Sequence, residues 1–105
     1  MFSSKYRNKI SEFKGIKFHS KGEMERYQEL LILEKAKEIS NLRLQVPYKI
    51  EINGNKICTY FADFVYFDEK TKEEVVEDYK GMRTAIYRLK KKLVEAQYGI
   101  KILET

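Results

Sequence analysis

At 105 residues the chain has room for one core and no second domain, and its 43% hydrophobic and 13% aromatic content excludes a disordered polymer. No apolar stretch approaches the roughly 20 residues of a membrane helix, and no apolar segment of secretory type follows the basic start Met1-Phe2-Ser3-Ser4-Lys5, so a soluble, cytoplasmic protein is expected. A net charge of +5, reached despite 16 acidic residues, favours a polyanionic partner, and a single cysteine, Cys58, inside a β-like run excludes a disulfide framework and reads as a buried thiol.

Residues 1–17 are polar and basic, with Lys5, Arg7, Lys9, Lys14 and Lys17 interleaved with Tyr6, Ile10, Phe13 and Ile16; they are expected to form an N-terminal arm suited to DNA or to a second subunit. From Ser20 to Ile39 the spacing predicts a helix, with Met24, Tyr27, Leu30, Leu31 and Leu33 in its apolar stripe. Leu42 to Ile52 then alternates apolar and polar residues, with Pro47 pointing to an edge or irregular strand. Asn53-Gly54 is a two-residue hairpin turn into Lys56-Ile57-Cys58-Thr59 and the long run Tyr60 to Phe67. Asp68 to Glu73 is a loop, and Val75 to Tyr79 is the third strand. Gly81 breaks that strand, helix two follows from Arg83 to Tyr98 with Ala85, Ile86, Leu89, Leu93 and Ala96 on its apolar face, and Gly99 ends it before a short closing strand, Ile100 to Leu103. The prediction is a single α/β domain over residues 1–105: a helix, a three-stranded antiparallel meander, a helix and a short strand.

Two acids stand inside the apolar strands. If the Asp68 to Glu73 loop centres near Lys70, Asp63 falls close to Asp78 across the hairpin, where like charges repel. A divalent cation between them turns repulsion into binding, because hard cations such as Mg²⁺ take oxygen ligands and use one or two carboxylates. Alternation places Lys80 on the face of Asp78 and sends Glu77 and Tyr79 to the other. The acid-x-Lys pattern alone carries little weight, since it recurs at Glu12-Phe13-Lys14 and Asp68-Glu69-Lys70; only Asp78 has a strand before it and a second strand acid as partner.

Ser20-Lys21-Gly22-Glu23 has the form of a capping box, and it also puts Glu23 one turn into helix one, aimed at the same metal, with Glu25 as the fallback. Lys80 would orient an attacking water and offset charge on a phosphoryl oxygen. Arg88, Lys90, Lys91 and Lys92 are the densest basic cluster; with Arg83 they are candidates for DNA phosphate contact, or else a solvated helix face. Gln45 lies in the first strand and could face the site, with nothing in the sequence to mark it off from an ordinary edge residue. His19, the only histidine, has no Cys or His partner for a zinc site.

Glu23, Asp63 and Asp78-Tyr79-Lys80, in this order, resemble the PD-(D/E)XK nuclease superfamily. Lys5-Tyr6-Arg7-Asn8-Lys9, Gly15-Ile16-Lys17-Phe18, Ser20-Lys21-Gly22-Glu23, Ala62-Asp63-Phe64 and Glu77-Asp78-Tyr79-Lys80-Gly81 are similar to short phage and prophage proteins within it. The resemblance implies a restriction-endonuclease-like core and a Mg²⁺-dependent DNA endonuclease, with Mn²⁺ as substitute. Asp63, Asp78 and Glu23 would serve as metal ligands, and these with Lys80 as catalytic residues. The Ser-x-x-Glu start of the first helix is similar to that of phage junction-resolving endonucleases, so branched phage DNA, a Holliday junction among its forms, and a homodimer in the bacterial host cytoplasm are expected. Ala62 replaces the proline that names the motif, and Asp78 is shorter than the Glu often found there. The alternative is a non-catalytic DNA-binding or replication or recombination accessory module that keeps the fold.

Overall fold

The computed structural model describes residues 10–80 and 83–105, an α/β fold of two helices, a four-stranded mixed sheet and a separate hairpin. The elements run β1 (Ser11–Phe13), β2 (Ile16–Phe18), α1 (Lys21–Lys35), β3 (Ile39–Ile52), β4 (Asn55–Asp68), β5 (Glu73–Asp78), α2 (Ala85–Tyr98) and β6 (Ile102–Glu104). The sheet order is β3-β4-β5-β6; the first three strands form the antiparallel meander, and β6 lies parallel to β5. That parallel pairing needs a crossover, which α2 supplies.

Local chemistry accounts for the element ends. The Ser20 hydroxyl accepts from the Glu23 N–H at 3.1 Å and caps α1. The helix stops at Lys35 rather than Ile39, because Lys37 takes a left-handed φ of 64° and Ile39 is drawn into β3 opposite Asp68. Asn53 and Gly54, both at positive φ, make the tight turn between β3 and β4. Gly99, at φ 67°, ends α2 with its N–H on the Glu95 carbonyl. Pro47 is tolerated because β3 is an edge strand.

Within the span expected to be an arm, residues 11–18 instead form a hairpin about Lys14-Gly15, another pair at positive φ. Phe13 and Phe18 bring this hairpin onto α1 through Tyr27, with the Phe18 and Tyr27 rings 5.2 Å apart. Lys5, Tyr6, Arg7 and Lys9 of the arm, and the strand-breaking Gly81, lie outside the described residues.

The helices cover opposite sheet faces. On one, Leu30 of α1 packs on Ile39, Phe64 and Tyr66; on the other, Tyr87 and Val94 of α2 pack on Ile50, Tyr60, Val65, Val76 and Ile102. The second arrangement corrects the expected face of helix two. Ile86 and Leu89 are 64% and 55% exposed, Ala85 and Ala96 are also exposed, and Leu93 is only partly buried. Polar ends fix this rotation: the Tyr87 hydroxyl donates to Glu104, the Ile102 N–H donates to Glu95, and the Tyr98 hydroxyl donates to the Lys49 carbonyl. Large aromatics with bonded hydroxyls displace the aliphatic stripe from the sheet.

Candidate functional site

The β4–β5 ladder runs from Asp68↔Glu73 to Phe64↔Glu77, which carries Asp63 to the next position, against Asp78. The parity expected for the third strand holds. Val76 and Asp78 face the α2 side, where the Tyr60 hydroxyl donates to Asp78 Oδ2, while Glu77 and Tyr79 face α1.

Asp63 reaches the site because the strand pair turns over beside it. Residues two apart in a strand should share a face, yet Leu44 packs with the α1 cluster and Val46 with the α2 cluster, and Phe64 and Ala62 part in the same way. The register is kept through this point, from Leu44↔Phe64 to Val46↔Ala62, which sets Gln45 against Asp63. Gln45 has φ 50°, a left-handed conformation costing on the order of 1–3 kcal/mol in a non-glycine residue. Its amide Nε2 donates to Asp63 Oδ1 at 2.9 Å, and the Tyr79 N–H donates to Oδ2 at 2.9 Å. The Asp63 N–H donates to Asp78 Oδ1 at 3.2 Å. Gln45 and Tyr60 are thus parts of the site that the sequence did not mark: Gln45 looks like one polar residue in an alternating strand, and the reach of Tyr60 depends on the turnover.

Asp78 is fully buried, and Glu23 and Asp63 are each 7% exposed. Burial, then the adjoining Asp63 carboxyl, pushes the Asp78 carboxyl up to about 7. Burial, then the charge of Asp63, holds Glu23 above its ordinary value, against the lowering influence of His19 and Lys80. Lys80 Nζ is 3.6 Å from Asp78 Oδ2 and 5.1 Å from the centre of the Tyr87 ring. Three buried carboxylates with one lysine beside them leave excess negative charge, which a proton on Asp78 or a bound cation relieves.

Two further contacts set the approach of α1. A Cβ on Gly22 would lie 2.0 Å from the Tyr79 hydroxyl, so glycine is what allows the first turn of α1 to rest on Tyr79. Arg26 holds the buried Glu77 with a two-pronged bond, Nε at 2.5 Å and an Nη at 3.0 Å, and the hydroxyls of Tyr66 and Thr105 also donate to Glu77. Beyond β6, the Thr105 N–H donates to the Asp78 carbonyl and the Lys80 N–H to the Thr105 carbonyl, fixing the backbone on both sides of Tyr79.

The four candidates therefore adjoin in series: Glu23 lines the cavity beside Asp63, Asp63 contacts Asp78, and Lys80 pairs with Asp78. Glu25 is exposed and lines a different surface depression with Arg26 and Glu29. The basic candidates do not form one face. Lys90 lines a cleft of about 240 Å³ with Lys80, Tyr60 and Phe61, whereas Lys91 pairs with Glu95 and Arg83 with Glu104. Arg88 and Lys92 are exposed, as are Ile86 and Leu89 on the same helix. On the hairpin side of Asp63 is a second cavity, of about 170 Å³.

Carboxylate oxygens are the donors that Mg²⁺ and Mn²⁺ prefer. Among the described residues no group of three or more histidine, cysteine, aspartate or glutamate side chains is placed so that it could hold a metal ion. What the donor chemistry fits is a Mg²⁺ held by one or two carboxylates and several waters, with Asp63 and Asp78 as the pair and Glu23 lining the cavity beside Asp63. No helix among the described residues is long and apolar enough to cross a membrane. No curated protein and no solved structure matches the chain. A family model described as "Protein of unknown function (DUF1064)" matches residues 3–103, nearly the full length, and the chain belongs to that family.

Proposed function

We propose that this protein is a Mg²⁺-dependent DNA endonuclease with a restriction-endonuclease-like core, acting on branched DNA. The observation that carries the reading is the run of adjoining groups Glu23, Asp63, Asp78 and Lys80, its three acids buried, beside a strained backbone at Gln45. Buried like charges are costly, and a fold that gathers them needs a return for that cost.

On this reading Asp63 and Asp78 would hold the cation, with Glu23 as a further direct or water-mediated ligand, and the cation when bound would supply a nucleophile at neutral pH and charge stabilisation at the phosphoryl group. The protein's own groups do the positioning. Gln45 and the Tyr79 N–H fix both oxygens of Asp63, while Tyr60 and the Asp63 N–H fix those of Asp78. Lys80, held between Asp78 and the face of Tyr87, orients the attacking water and offsets charge developing on the phosphoryl oxygens. Lys90, in the same cleft as Lys80, is placed to meet a neighbouring phosphate. Resolving a four-way junction takes two cuts, so a pair of subunits is expected on that substrate.

A cleavage panel on linear, flapped and four-way DNA in Mg²⁺ and in Mn²⁺, with Asp78→Ala as control, tests the reading. Cleavage by the wild type and none by the variant is expected. That no group of three histidine, cysteine or acidic side chains among the described residues could hold a metal ion is what a non-catalytic DNA-binding or replication or recombination accessory module would display, and cleavage of none of the substrates favours that second reading.

A further inference from the structure

The cavity on the hairpin side of Asp63 has a different chemistry from the Lys80 cleft. Its apolar walls are Ile16 and Phe18 of β2 and Leu44 of β3, and its polar edges are Lys17, His19, Gln45 and the acids Glu23 and Asp63. At about 170 Å³ it is smaller than the roughly 300 Å³ of the smallest drug-sized ligand pockets, and it has room for one planar ring system and none for a base pair. A phosphate suits it poorly, since two carboxylates line it against the one lysine, Lys17; a neutral heterocycle with polar edges fits that mixed lining. The β1–β2 hairpin, propped on α1 through Phe13, Phe18 and Tyr27, supplies one wall. The left-handed backbone at Gln45 coincides with the turnover that forms another.

We propose that this cavity receives a single unpaired nucleobase of the cleaved strand, next to the scissile phosphate, so that the enzyme selects DNA by an unstacked nucleotide rather than by sequence. The proposal rests on the nuclease reading and supplies its substrate preference. A base inside a duplex is paired and stacked, and extracting it costs a few kcal/mol, a cost that falls where a branch, flap or bulge has already freed it. A strand crossing the acids would then lay its phosphates toward Lys80 and Lys90 and its freed base toward Ile16, His19 and Leu44.

The test compares single-turnover cleavage by the full chain in Mg²⁺ on three duplexes that differ at one nucleotide: fully paired, carrying one unpaired base, and abasic at the unpaired position. The unpaired base is expected to be cleaved at least about tenfold faster than either other duplex, in line with the energy of seating one base against a protein surface. Ile16→Trp, which fills the cavity, and His19→Ala, at an exposed position that does not threaten folding, should each lose most of that advantage. Equal rates on all three duplexes overturn the pocket and leave the nuclease reading standing. If no duplex is cleaved, the nuclease reading falls, and the pocket is judged by the fluorescence of 2-aminopurine at the unpaired position. A change on binding to the wild type that both variants lose supports it, and no change overturns it.

Discussion

Asp78 has the least tolerant surroundings in the molecule. It is fully buried, bonded to the Tyr60 hydroxyl and the Asp63 N–H, and pushed up to about 7 by burial and by Asp63. Its carboxyl therefore binds a proton more tightly when folded than when unfolded, where the ordinary value near 3.8 applies. The folded state holds more protons between these values, so in metal-free buffer the stability from this group is present at low pH and is lost as pH rises toward about 7. Glu23, also raised, acts in the same direction. Chemical denaturation in EDTA should show stability falling between about pH 5 and pH 7, and Asp78→Asn should flatten that slope. A slope that is unchanged in the variant would assign the titration to other groups. Tyr60→Phe removes the hydroxyl that orients Asp78 and should cost about 1–3 kcal/mol in the same measurement. Neither Tyr60 nor Gln45 was legible as a site residue, because their roles depend on the face change at Asp63, which period-two alternation does not encode.

At the scale of elements, α1 is set against the sheet by one steric and one ionic device. Gly22→Ala places a methyl group 2.0 Å from the Tyr79 hydroxyl, which should shift the first turn of α1 and cost about 1–3 kcal/mol in thermal or denaturant melts. Arg26→Met leaves Glu77 buried without its guanidinium and should cost about 3–5 kcal/mol, more than Gly22→Ala. The hairpin loop between β4 and β5 is short, and centring it near Lys70 was enough for the pairing of Asp63 with Asp78 to be read from residues alone. The rotation of α2 could not. Ile86 and Leu89 make a regular aliphatic stripe, and the competing face of Tyr87, Val94 and Tyr98 prevails through hydroxyl bonds to Glu104 and the Lys49 carbonyl, partners distant in sequence. The strands of the Ser11–Phe18 hairpin, three residues each, are too short to display a period, so the positive-φ pair Lys14-Gly15 was the only local signal.

For the whole molecule, a net charge of +5 coexists with an acidic centre; among the described residues Lys80 and Lys90 share the cleft beside it, while Arg83 and Lys91 are paired with Glu104 and Glu95. This distribution refines the proposed DNA contacts. Lys90→Gln should lower the slope of log affinity against log salt by up to about 0.9, the value for one duplex phosphate contact, whereas Lys91→Gln should change it less, because Lys91 already pairs with Glu95. Equal effects would place the strand across the outer face of α2. The central proposal, that the buried carboxylates serve metal-dependent phosphodiester hydrolysis, is tested most directly by measuring binding and Mg²⁺-dependent cleavage of one four-way DNA by the wild type and by Asp63→Asn. The account predicts that binding stays within about threefold while cleavage falls by at least about a thousandfold, the loss expected when a charge acting chiefly in the transition state is removed. Undiminished cleavage by Asp63→Asn would contradict it.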